Sequence, residues 1–196
     1  MIYVTLNNNM EEMLRNIKES KFISYECGKV FGNAYGNLRI NTDKSSVEIT
    51  NLQKTTPFFD TEEEVAGFKC KMVESDSTFK PYCEEPFEVF EVGESIKDIE
   101  IVNDSICIND GEFEISFDQA IIIRTESKLI MFSRDIWFSE DITISEHDDY
   151  NSIFPISQVV DSWSDDGENK VNVIRTSRKL SDRAPAFSKS MKQVIV

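Results

Sequence analysis

From Phe22 onward apolar residues return at every second position in short runs, and glycine, asparagine and proline punctuate those runs. Period two puts successive side chains on opposite faces of an extended strand, so this pattern commits most of the chain to β-sheet. Residues 38–40 and 47–49 flank Thr42-Asp43-Lys44-Ser45, which reads as a hairpin loop. Asn109-Asp110-Gly111 joins two further strand-like runs, and these residue types tolerate the left-handed backbone that tight turns require. Thr125-Glu126-Ser127 predicts another hairpin between residues 120–124 and 128–133. Ile122 and Ile130 lie in runs that are apolar at every position, which places this pair in the sheet centre.

Ala66, Phe68, Cys70 and Met72 alternate as one buried face of a strand would. Gly28, Gly32 and Gly36 read as turns or bulges, and residues 75–86, broken by Pro81 and Pro86, as a loop. Pro57 and the acidic run after it, Asp60 to Glu64, are expected to form a solvated loop. Helical signals are few. Met10, Met13, Leu14 and Ile17 recur at helical spacing behind Asn9, expected as N-cap with Glu12 completing a capping box. Pro185, Phe187, Met191 and Val194 suggest a short terminal helix, and residues 156–163 fit either a strand or one or two helical turns. The expected class is therefore α+β and β-rich: a mainly antiparallel sheet, open or curled into a partly closed barrel or a sandwich, with an N-terminal and a short C-terminal helix. One domain over residues 1–196 is expected, with a weak seam near 75–86.

Charge narrows the partners. Lys and Arg total 21 against 36 Asp and Glu, a net charge of −15, and the basic residues are concentrated at one end. Arg175, Arg178, Lys179, Arg183, Lys189 and Lys192 oppose a single acid, Asp182, after residue 170, so the rest of the chain carries −20. A field of that sign repels phosphate backbones and anionic lipid and attracts basic proteins. The segment 175–196 is expected to dock on the acidic body, with Phe187, Met191, Val194 and Ile195 giving it apolar surface to bury. No apolar run reaches the ~18 residues of a membrane helix. Cys27, Cys70, Cys83 and Cys107 lack the close spacing of a zinc site or redox dithiol. Reduced thiols and a cytoplasmic location are the expectation.

Catalytic motifs are sparse. His147 is the only histidine and sits among Glu146, Asp148 and Asp149. Asp118 with Glu126 and Lys128, and Asp166 with Glu168 and Lys170, have the order of a metal-nuclease set, but both Glu-x-Lys triplets fall in expected turns rather than on a rigid strand. No catalytic residue, metal site or cofactor is assigned. Phe58 and Phe59 beside an acidic run, and Trp163 beside another, have instead the make-up of a protein-binding hot spot with a charged rim. The expected function is a non-catalytic, immunity-protein-like or inhibitor-like domain that engages a basic protein through Phe58, Phe59, Asp60, Glu62, Glu63, Glu64, Asp161, Trp163, Asp165, Asp166 and Glu168. A scaffolding component of a larger assembly and a carboxylate-dependent nuclease are the alternatives.

Overall fold

The turn residues place the hairpins where the punctuation puts them. The computed structural model describes residues 1–32, 34–82, 87–146, 155–164 and 167–180. Within them the strands are β1 (Ile2–Val4), β2 (Lys21–Phe31), β3 (Ala34–Thr42), β4 (Ser46–Phe58), β5 (Thr61–Val73), β6 (Phe87–Ser95), β7 (Asp98–Ile108), β8 (Phe113–Arg124), β9 (Leu129–Arg134), β10 (Ile142–Ser145) and β11 (Val171–Lys179). Two helices join them, α1 (Asn8–Ile17) and α2 (Ile156–Trp163). The fold is α+β and β-rich, as expected. Residues 181–196, which carry the expected terminal helix, lie outside the described residues.

One mainly antiparallel sheet runs in the order β11-β7-β8-β9-β10-β3-β2-β6. Its ends have one neighbour each, so it does not close into a barrel. Two strands are long enough to change partner along their length. β3 pairs with β10 through Ala34 and Tyr35 and with β4 from Asn37 to Asn41, and β5 follows β4. β8 pairs with β9 from Ala120 to Arg124, and with β1, in parallel, from Ile115 to Phe117.

A bulge in β8 sets up the rest of the architecture. Val102 faces Ala120 and Asn103 faces Asp118, leaving Gln119 as the extra residue. Beyond it the phase of β8 inverts. Ile121 and Ile123 join the main core with Ile99, Ile101, Ile130, Phe132 and Ile142, whereas Phe113, Ile115 and Phe117 join a second core with Ile106, Ile108 and Val173 on the other face of β7. Both faces of the β7–β9 region are therefore apolar, and Val102, Ala120, Ile122, Leu129 and Met131 form a third buried cluster. The central placement of Ile122 and Ile130 is borne out. Gln119 is itself buried and donates its Nε2–H to the Arg134 carbonyl, which ties the bulge to the end of β9.

Several local expectations change. The N-cap of α1 is Asn7, not Asn9: its Oδ1 accepts from the Met10 N–H at 3.0 Å. Three consecutive asparagines offer the same chemistry, and Asn7 is the one whose backbone is extended. Leu14 and Ile17 then face the main core. Pro57 and Glu62 to Glu64 are not a loop but belong to the long hairpin β4–β5, paired register by register up to Phe58 and Thr61. Their polarity reflects a hairpin end that stands in solvent, which sequence alone reads as a turn. Residues 156–163 resolve to helix. Gly67 lies where β1 crosses β5, and a Cβ there would come within 2.5 Å of Val4 Cγ1.

The described part of the basic segment is docked. Arg175 pairs with Asp104, Arg178 with Asp118 and Glu11, and Lys179 with Asp98 as β11 runs along β7. The β8–β9 turn is pinned by a carboxylate from β6: Glu94 accepts from Ser127 Oγ, Thr125 Oγ1 and the Ser127 N–H. These bonds hold its pKa at about 2, below the usual 4.5. A depressed folded-state pKa stabilises above the unfolded value and is lost as pH falls through the folded one. Glu94→Gln should thus lower the melting temperature at pH 7, and the deficit relative to wild type should shrink below pH 4.5 and vanish near pH 2. A melting series over that range, with the gap unchanged, would sink the assignment.

Candidate functional site

The second core opens at one end of the sheet as an aromatic cluster. Phe113, the first residue of β8, lies between the β4–β5 hairpin tip and α2: its ring is 4.8 Å from Phe58, 5.6 Å from Phe59 and 6.0 Å from Trp163. Phe58 also approaches Trp163 at 5.9 Å, and Trp163 reaches Trp137 at 5.0 Å. α2 presents Val159 and Trp163 to this cluster, an i, i+4 pair on one helical face. Trp137 Nε1 donates to the Ser162 carbonyl at 3.3 Å and helps hold α2 down.

These contacts bring together the two sets of residues singled out in the sequence. Phe58, Phe59, Asp60, Glu62, Glu63 and Glu64 come from the hairpin, and Asp161, Trp163 and Glu168 from α2 and the turn after it; Asp165 and Asp166 lie outside the described residues. Asp60, Glu62, Glu64, Asp161 and Glu168 are exposed, Glu63 and Phe58 half-buried. Trp163 is buried within the cluster. Phe59 is different: it is 44% exposed, at the hairpin tip, with a φ of 49° in the left-handed region that a bulky residue rarely adopts. Exposed Glu112 adds acid beside Phe113, and the cations near it are paired, Lys170 with Asp110 at 2.8 Å and the Met1 ammonium with Glu114 at 3.9 Å. The arrangement presents carboxylates around ring faces, which suits guanidinium and ammonium groups.

Beneath the aromatic cluster lies a buried ionic layer. Asp104 takes a bidentate pair of bonds from Arg175 at 2.7 and 2.6 Å, and both side chains are buried. Asp118 accepts from the Leu6 N–H, Asn103 Nδ2 and both terminal nitrogens of Arg178. Arg134 is 1% exposed, stacks 4.6 Å over the Phe117 ring and donates from Nη2 to the Trp137 carbonyl. Burial pulls its pKa down to about 10, against the opposing influence of Asp104 and Asp118. Sequence reasoning did not find this layer. Its signal was an arginine closing the strand Leu129–Arg134, in which every other side chain is apolar or small.

The set Asp118, Glu126 and Lys128 is not assembled, and Asp166 of the second set lies outside the described residues. Asp118 is saturated by the four donors above, and Glu126 pairs with Lys97 on the exposed β8–β9 turn. Asp118 and Arg124, at the foot of that turn, are six positions apart along β8, roughly 20 Å of extended chain. Burial raises the Cys70 thiol to about 12, which keeps it protonated and unreactive at neutral pH. Among the described residues no three His, Cys, Asp or Glu side chains lie close enough together to hold a metal ion. His147 lies outside the described residues. No helix among the described residues is long and apolar enough to cross a membrane.

No protein-family model matches the chain, and neither a curated protein nor a solved structure matches it.

Proposed function

We propose that this chain is a non-catalytic, acidic protein-binding domain that engages a basic protein through the end built from the β4–β5 tip and α2, in the manner of an inhibitor or immunity protein. The observation that carries the reading is the Phe58–Trp163 contact at 5.9 Å, which merges two acidic segments about a hundred residues apart around the exposed Phe59 ring. Surplus negative charge accelerates encounter with a cationic surface, and a ring at the centre sets the lifetime of the complex. Phe59 stands in a left-handed backbone at the tip, and its ring packs on Phe58 at 4.8 Å and Phe113 at 5.6 Å while remaining exposed. The free thiols of Cys27, Cys70 and Cys107 support a reducing, cytoplasmic setting for this activity.

The test begins with the partner recovered by affinity capture from the native host, purified and titrated against defined variants. Reversing Asp60, Glu62 and Glu64 to lysine should slow association at least about tenfold at low salt and much less at high salt, because screening removes the long-range term. Phe59→Gly should leave folding intact, since glycine suits the tip, and should weaken binding by about 2 kcal/mol, chiefly by faster dissociation. Unchanged rates for both variants would overturn the reading, and self-assembly without a basic partner would favour a scaffold.

A further inference from the structure

We propose that the orphaned donors of Arg134 and Trp163, which pack against Phe117 and Trp137, form a binding site for a small oxyanion. Arg134 Nε, Arg134 Nη1 and Trp163 Nε1 are buried without any hydrogen-bond partner. The two side chains lean on the same neighbours: Arg134 on the Phe117 ring and the Trp137 carbonyl, Trp163 on the Phe117 ring at 6.4 Å and the Trp137 ring at 5.0 Å. All three orphaned groups are donors, and one bears a positive charge. Leaving such groups unmade is costly, and the cost is greatest for the cation.

The nearby carboxylates are already committed. Both oxygens of Asp104 take Arg175, and those of Asp118 take Leu6 N–H, Asn103 and Arg178. They act on Arg134 through space but make no hydrogen bond to it. Ordered water is the competing guest, yet a water molecule brings two hydrogens that need acceptors, and this group of orphans supplies none. A carboxylate or phosphate oxygen is acceptor only and supplies the missing negative charge. This inference shares Trp163 with the partner-binding reading, but Arg134→Met and the anion probes touch nothing that reading uses, so the two can fail separately.

The probes are inorganic phosphate and acetate, each compared with sodium chloride at matched ionic strength. They are added both to folded protein and before refolding from urea, so that slow entry to a buried site does not hide binding. At roughly ten times the dissociation constant the midpoint should rise by about 3–6 °C in whichever anion the site accepts. Arg134→Met keeps the bulk of the side chain without the charge and should show no anion-dependent rise. In a ¹⁵N–¹H spectrum the Trp163 indole peak should move on titration, while the Trp137 indole, already bonded to Ser162, should move less. Trp163→Phe, which keeps the ring cluster, should weaken the response. A rise in phosphate alone assigns a phosphate-type ligand, and one in acetate alone a carboxylate. Equal behaviour in chloride and both anions, with a still Trp163 indole, would overturn the proposal and leave water as the guest.

Discussion

Asp104→Ala should lower the unfolding free energy by about 3–5 kcal/mol, the usual cost of stripping one partner from a buried ion pair. Asp104 is 0% and Arg175 4% exposed, and the pair is bidentate at 2.7 and 2.6 Å. Removing the carboxylate takes both of these bonds from the buried Arg175 guanidinium and also deprives Arg134 of one of the two anions that counter its burial. The loss should appear as a lower urea midpoint with an unchanged slope. The pair as a whole is another matter, since two charges taken out of water gain little over well-packed hydrocarbon. The double variant Asp104→Leu with Arg175→Met should therefore recover a large part of what Asp104→Ala loses. If Asp104→Ala fell within about 1 kcal/mol of wild type, the layer would be wetter than its burial implies.

The contrast between that layer and the strands shows what a sequence of this kind discloses. Turn chemistry is local, so Asn109-Asp110-Gly111 and Thr125-Glu126-Ser127 announced their hairpins, and the unbroken apolar runs around Ile122 and Ile130 announced the sheet centre. Phase is not local. Nothing in Phe113–Arg124 marks Gln119 as a bulge, yet that one residue sends Phe117 and Ile121 to different cores. The hairpin end at Pro57 to Glu64 looked like a loop because its side chains are polar, while its strand character comes from backbone pairing alone. For the candidate site the residue types were legible and their meeting was not. Phe58 and Trp163 are joined through Phe113, which carried no functional signal of its own, and Arg134, Asp104 and Arg175 come from three strands whose adjacency depends on the order β11-β7-β8-β9.

Trp163→Ala should cost about 3–5 kcal/mol, the range for truncating a large buried aromatic. Trp163 is 4% exposed and contacts the rings of Phe58, Phe113, Phe117 and Trp137. The consequence should be concentrated in α2. At eight residues that helix is too short to persist unaided, and its N-cap position is Pro155, with no side-chain hydrogen bond to close the first turn. Its stability therefore rests on Val159 and Trp163 in the cluster and on the bond from Trp137 to Ser162. With the indole removed, amide hydrogens of α2 should exchange far faster than those of β7 and β8, and the local opening should precede global unfolding. Trp163→Phe should preserve most of the protection. The same pair of variants bears on binding: because the indole supports Phe58 and Phe113 beneath the exposed Phe59, alanine should weaken capture of the basic partner more than phenylalanine does, without altering a single exposed charge. Full protection of α2 in Trp163→Ala would mean that the helix is held by something other than the aromatic cluster, and the joining of the two acidic segments would lose its physical basis.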